Sequence, residues 1–151
     1  MIRRLHVGAR LSEAAVANGT VYLAGQVADV NPDGDIEDQT REVLGHIDRL
    51  LAECGSSKAH LLSVQIYLAD IHDITRMNAV WDHWVAAGQT PPRATVQAAL
   101  ADPRWKIEVV VTAAVSPRRK MPGRRDASRR RSPIAAPPSP PSARSTTRSR
   151  G

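Results

Sequence analysis

The sequence predicts an α+β protein, a two-layer sandwich with a mixed β-sheet and two helices, confined to residues 1–115 of a 151-residue chain. Three observations carry this expectation. Two stretches repeat apolar residues at helical spacing, and several others alternate at strand spacing. Helices and strands interleave along the chain, the order expected of layered sandwiches. The composition then breaks sharply after residue 115.

The elements follow in order. In AAVANGTVYLAG, Asn18-Gly19 separates two β-prone runs. Asn-Gly supplies the positive φ angles of a type I′ turn, so the segment reads as a hairpin. VNPDGD (30–35) is a loop, and Asp35 is placed to cap the next helix. Val43, Leu44, Ile47, Leu50, Leu51 and Cys54 then recur on one helical face. Gly55 supplies a left-handed stop. LLSVQIYLAD (61–70) alternates, with Leu62, Val64, Ile66 and Leu68 on one side and Ser63, Gln65 and Tyr67 on the other, which is a strand. Asp73 is expected to cap a second helix whose inner side carries Ile74, Met77, Trp81, Trp84 and Val85, with Gly88 and two prolines ending it. Strands at 94–100 and 106–114 complete the order: two or three strands, a helix, a strand, a helix, two strands. The second helix is apolar on one side only. The far face of the sheet must therefore find cover elsewhere, and stacking of sheet faces in an oligomer is the economical solution.

Charge divides the chain. Residues 116–151 hold ten arginines, one lysine and one acid, Asp126, for a net +10, together with seven of the eleven prolines; residues 1–115 carry ten basic and fourteen acidic residues, for −4. The tail has too little apolar surface to offset the entropy of ordering and reads as disordered. It is either a solvated appendage or an electrostatic arm making weak, nonspecific contact with nucleic acid. Without an aromatic residue it has no platform for stacking bases. Cys54 is the single cysteine, which excludes a disulfide framework or a cysteine-based metal site within one chain. The N-terminus lacks a continuous apolar segment of the secretory type, and no run reaches membrane-spanning length. The expectation is a cytoplasmic protein with no membrane partner. His6, His46, His60, His72 and His83 show no metal-ligand spacing and read as surface or core histidines, so no metal site is expected. Cys54, Trp81 and Trp84 read as packing residues. Gly25 lacks the further glycines of a phosphate loop.

Two charges stand out. Arg93 opens one apolar strand, and Glu108 lies alone in IEVVV of the next. Either they pair across an interface or they line a pocket. If the last two strands formed a hairpin turning at Asp102-Pro103, Arg93 would face about Thr112, roughly four residues or ~13 Å from Glu108. One small ligand cannot span that gap. Hence either the strands are not hairpin neighbours or the pocket joins two subunits.

The ordered set VYLAGQV (21–27), DIEDQTREVLGHIDRLLAECG (35–55), LLSVQIYLADIHDITRMNAVWDHW (61–84), PPRATV (91–96) and KIEVVVTAAV (106–115) resembles the Rid family (YjgF/YER057c/UK114) of enamine/imine deaminases. The resemblance covers nearly all of 1–115 and none of the tail. It implies a chorismate-mutase-like fold, a homotrimer, and ligand clefts between subunits. It implies hydrolysis of reactive 2-imino or 2-enamino acids to a 2-keto acid and ammonia without a cofactor, or else a non-catalytic trimer that binds small carboxylates or acts as a chaperone. The family's carboxylate-clamping arginine falls on Arg93 and its water-positioning glutamate on Glu108, fifteen residues on. Thr95 takes the position that contacts the imine through its backbone, and Asn78 matches the asparagine of the second helix. Gly25 and Gln26 stand at a strand end expected to border the cleft. At the N-terminus VGARLSEAA departs from the family's GPYS-like segment, and Leu11 stands where active members carry tyrosine. The implied roles suit the side chains. A guanidinium fork matches a carboxylate, and a glutamate can take a proton from the attacking water.

Overall fold

The computed structural model of the chain describes residues 1–117 and residue 138. The tail expectation falls almost wholly outside the described residues. The elements are β1 (Arg3–Val7), β2 (Ser12–Ala17), β3 (Thr20–Leu23), β4 (Gln26–Val27), α1 (Ile36–Glu53), β5 (Leu61–Leu68), α2 (Ile74–Trp84), β6 (Arg93–Gln97) and β7 (Ile107–Ala114). Short 3₁₀ turns at Lys58–His60 and Ile71–Asp73 precede β5 and α2. Among the described residues no helix is long and apolar enough to cross a membrane.

The β2–β3 turn is the expected one. Asn18 and Gly19 have φ of 50° and 76°, and Ala17 pairs with Thr20 across it. β1 is an addition to the predicted order. It is an exposed edge strand that packs only Leu5 against the core, too little for an apolar pattern to reveal. His6 within it adopts φ of 51°, an uncommon conformation for a side chain with a Cβ.

α1 begins as expected. The Asp35 carboxylate accepts from the Asp38 amide at 2.8 Å, and the Asp38 carboxylate accepts in return from the Asp35 amide at 3.4 Å, a capping box built with a shorter acid than usual. Its apolar stripe from Val43 to Cys54 is buried throughout, and Gly55 ends it at φ 76°. Each large aliphatic side chain taken from water there contributes about 1.5–3 kcal/mol. α1 also buries Gln39, whose amide donates to the carbonyls of Pro32 and Arg104, both at 2.9 Å, and accepts from the Lys106 amide at 2.8 Å. One satisfied amide thus staples the helix to the entrance of β7.

Two local expectations need correction. Asp73 stands at the start of α2 but makes no side-chain capping bond. The chain enters α2 through a 3₁₀ turn, so Asp73 already has helical backbone angles, and it is Asp70 that caps, accepting from the His72 amide at 2.9 Å. Leu62 is not on the inner face of β5. A bulge against β7 between Leu61 and Ser63 turns Leu61 inward and leaves Leu62 49 % exposed.

The sheet runs β1-β2-β3-β7-β5-β6, with β4 also paired to β7. Only the β5–β6 pair is parallel, joined through α2; every other pair is antiparallel. The last described strand is therefore central, and β5 separates β6 from β7. Both helices cover one face. Val21, Leu23, Val64, Ile66, Leu68, Ile107, Val109, Val111 and Ala113 meet α1, Met77 and Trp81 there in one core. The other face presents Tyr22, Gln65, Tyr67, Val96, Glu108, Val110 and Thr112, with Tyr22 and Val96 53 % and 45 % exposed.

Candidate functional site

Arg93 is the first residue of β6, directly after Pro91-Pro92, and the Pro92 carbonyl accepts from the Val64 amide at 3.0 Å. Two prolines with fixed φ and one cross-strand bond set where the arginine starts. Arg93 pairs with Val64, which pairs in turn with Val111. Partners across a ladder point the same way, so Arg93 faces the helix layer. Its guanidinium carbon lies 5.1 Å from the centroid of the Trp81 ring on α2. Among the described residues it has no hydrogen-bond acceptor and no carboxylate within 4.0 Å. A half-buried arginine with five unanswered donors has the chemistry to receive an anion.

Thr95 and Asn78 share this side. Thr95 pairs with Ile66 on the inner face, and Asn78 lies one helical turn before Trp81. The Thr95 hydroxyl and the Asn78 carbonyl oxygen are both buried without a hydrogen-bond partner among the described residues. Such atoms are costly to leave unmet and are rare in folded proteins. β6 is the sheet edge, so one row of its backbone groups is also free of a strand partner.

Glu108 occupies the opposite face. It pairs with Tyr67 and with Val27, placing its side chain on the face away from the helices. Gly25, between β3 and β4, lies directly beneath it. A Cβ built on Gly25 would sit 2.9 Å from the Glu108 carboxyl carbon and closer still to one of its oxygens. The glycine leaves the room that the carboxylate fills. Glu108 likewise forms no ion pair among the described residues. Gln26 turns inward opposite Val109 and is buried, its amide donating to the Ala24 carbonyl at 2.9 Å. It braces the turn that carries Gly25.

Within one chain Arg93 and Glu108 are therefore not an ion pair. They point to opposite faces, two strand spacings and three residues apart in register, on the order of 14 Å. The strands are not hairpin neighbours, one of the two alternatives that the spacing left open.

Sequence spacing missed other groupings. Asp29, Glu42 and His46 bring ligand-type atoms within 4.8 Å of one another. Their hydrogen bonds are already made: His46 Nε2 with Asp29 at 2.9 Å and Glu42 at 3.0 Å, Arg49 to His46 Nδ1 at 2.9 Å, and the Asn31 amide to Glu42 at 2.7 Å. The cluster pins the loop after β4 to α1. Arg76 on α2 likewise reaches Asp35 at 3.1 Å and Glu37 at 3.3 Å. The Asp38 amide, with Arg76 adding to it, holds the Asp35 carboxyl below its ordinary pKa of 3.8. Burial pushes the Cys54 thiol upward, which makes it an unreactive core residue, as expected. A groove of about 610 Å³ runs between α1 and α2, lined by Leu44, Gly45, Val80 and Trp84 and rimmed by Arg41 and Asp48. It contains none of Arg93, Thr95, Asn78, Gly25, Gln26 and Glu108.

Comparison with known proteins matches this architecture. The family model described as Endoribonuclease L-PSP matches residues 1–115. A RutC family protein of Haemophilus influenzae is 48 % identical over 112 residues, 74 % of this chain and 97 % of that one. The RutC family protein YoaB of Escherichia coli is 42 % identical over 114 residues, 76 % of this chain and 98 % of that one. A crystal structure of a YjgF family member from Neisseria meningitidis superposes with a TM-score of 0.75 at 49 % identity, covering 78 % of this chain and 97 % of that one. The chain belongs to the Rid family, the group known also by the names YjgF, RutC and L-PSP.

Proposed function

We propose that the protein is a hydrolytic deaminase of small 2-imino and 2-enamino acids, of the 2-aminoacrylate/2-iminopropanoate type, and that it works as a homotrimer with its clefts between subunits. The observation that carries this reading is that Arg93 and Glu108 are both unpaired among the described residues, one beside two buried unmet polar atoms and the other in a space kept by a glycine. A salt bridge within one chain would have consumed both charges.

The enamine first tautomerises to a 2-imino acid. Arg93 holds the carboxylate bidentately, and the backbone carbonyl of Thr95 at the sheet edge accepts from the imine N–H. Asn78 offers its carbonyl oxygen to the ligand or its water. Glu108 takes a proton from water as the water oxygen attacks the C=N carbon. Glu108 passes that proton to the nitrogen, and the C–N bond of the resulting carbinolamine breaks as the hydroxyl proton also moves to nitrogen. Water supplies the keto oxygen, the nitrogen leaves as ammonia, and no redox partner is required. Imines already hydrolyse in water, so orientation and charge stabilisation suffice. Because Arg93 and Glu108 of one chain diverge, the cleft needs Glu108 from one subunit and Arg93 from the next, or a side chain reaching around the edge. The open sheet face, with half-covered Tyr67, Val110 and Thr112, supports the subunit stacking that this requires. The body's net charge of −4 suits a small anion held locally better than a polyanion. The basic tail is dispensable in this reading: a chain ending at Val115 keeps folding and turnover. The single buried thiol suits a reducing cytoplasm.

The test is semicarbazide competition with imines generated in situ by an amino-acid oxidase. Loss of the semicarbazone signal on adding protein supports turnover. An unchanged signal with tight 2-oxobutanoate binding would instead support a carboxylate-binding trimer without catalysis. One feature favours that second reading: Leu11, at the position of the family's tyrosine, is 57 % exposed and brings no hydroxyl.

A further inference from the structure

We infer that Trp81 is a positioning residue for the carboxylate clamp: its ring is the platform that holds the Arg93 guanidinium at the angle from which it grips a ligand. This deepens the proposed function and rests on it. The Arg93 guanidinium lies 5.1 Å above the Trp81 ring, and among the described residues nothing else orients it. An arginine has several rotatable bonds, and without a partner its fork samples many directions. Stacking on an aromatic face fixes the plane of the fork while leaving every N–H free for a ligand, which a carboxylate partner would not.

The platform is itself fixed. Trp81 is buried, and its ring sits 5.3 Å from that of Trp84 at a 51° tilt. The Trp84 indole N–H donates to Asp48 at 2.9 Å, and the Lys58 ammonium covers the far ring at 5.6 Å. Two tilted indoles thus stand between two cations. Lys58 and Asp48 lock the outer indole, and the inner one presents its face to Arg93. Asn78, with its unmet carbonyl oxygen, is one turn away on the same helix. The same face of α2 therefore orients the cation and places a polar group for the ligand.

The experiment uses the full chain and compares Trp81→Leu and Trp81→Phe with the parent protein. Calorimetry with 2-oxobutanoate gives Kd, the semicarbazide assay gives KM and kcat, and circular-dichroism melting gives the folded state. Trp81→Leu keeps an apolar side chain there but removes the aromatic face, and the melting curve reports the cost of the smaller volume. It is expected to raise Kd and KM about tenfold with kcat within about twofold. Trp81→Phe keeps a smaller, weaker aromatic face and is expected to raise KM only about threefold, at similar melting temperature. A Trp81→Leu protein that melts cooperatively with the parent Kd and KM overturns the inference. So does a pair of variants whose kcat falls in step with their melting temperatures, which marks mere packing. If Trp81→Leu does not fold, Trp81→Phe decides: a threefold rise in KM at unchanged kcat supports the platform, and an unchanged KM overturns it. If the parent itself neither binds 2-oxobutanoate nor consumes imines, the proposed function fails, and the three proteins would show that together.

Discussion

The two faces of the sheet are made by the same strands and have opposite characters. Along β7, Ile107, Val109, Val111 and Ala113 are at most 1 % exposed, while Glu108, Val110, Thr112 and Ala114 between them are only half covered. The inner face is closed by two helices and is almost wholly apolar. Arg93 sits at the edge of that face, where an indole rather than a carboxylate receives it. The outer face carries an anion, Glu108, with a glycine beneath it. A strand's two-residue period sorts the apolar core to one side and the open carboxylate to the other, and only the edge lets a charged group join the covered side.

Substitutions can test that division, beginning with the largest effect. Ile66→Ala on the covered face should cost about 2–5 kcal/mol in denaturant melts, since it opens a cavity in a face with no room to relax. Glu108→Gln on the open face should leave melting nearly unchanged, retain 2-oxobutanoate binding, and lower imine turnover by roughly 10²-fold or more. If that variant keeps full turnover, Glu108 is not the base and the binding-only reading gains. Arg93→Ala should weaken 2-oxobutanoate binding by about 10- to 100-fold, the loss of a charge-assisted hydrogen bond, and Arg93→Lys should recover little because a point charge lacks the fork. Unfolding of either arginine variant would mean that Arg93 belongs to the packing after all. Gly25→Ala should cut turnover about tenfold by displacing the Glu108 carboxylate, with carboxylate affinity retained. The smallest effect is on pH dependence. The folded-state pKa of Asp35 is depressed, so its contribution is fully present above the unfolded value near 3.8 and is lost as pH falls through the folded one. Asp35→Asn keeps a capping oxygen and should flatten the acid limb of a melting-temperature profile. An unchanged acid limb would assign it to other carboxylates, with Asp70 and Asp102 lowered in the same way.

What could be read from the sequence was local. The stripe of α1, the Asn18-Gly19 turn, the Asp35 cap and the Gly55 stop each depend on neighbours within a turn or two. The errors arise where a third element intervenes. The Leu62 bulge exists only relative to β7, and the 3₁₀ entry to α2 removes the reason for an Asp73 cap. Arg93 and Glu108 were visible as charges out of place, but the divergence of their faces depends on β5 lying between their strands. Trp81 reads as packing from its spacing and is indeed buried. Its second role needs Arg93 above it, and twelve residues of chain separate the two. A tryptophan one turn after Asn78 was the available signal.

The central position of β7 has a consequence for synthesis. β3, β4 and β5 all hydrogen-bond to it, yet it is the last of the described strands to be made. Until it emerges from the ribosome, β5 and β6 have no bridge to the hairpin of β2 and β3, and the apolar stripe of α1 faces half a floor. The nascent chain must carry that surface partly uncovered from the end of α1 until β7 is made, a window in which chaperones and aggregation compete for it. A chain released before residue 107 would therefore lack the middle of its sheet, and no partly functional short form of this domain is to be expected.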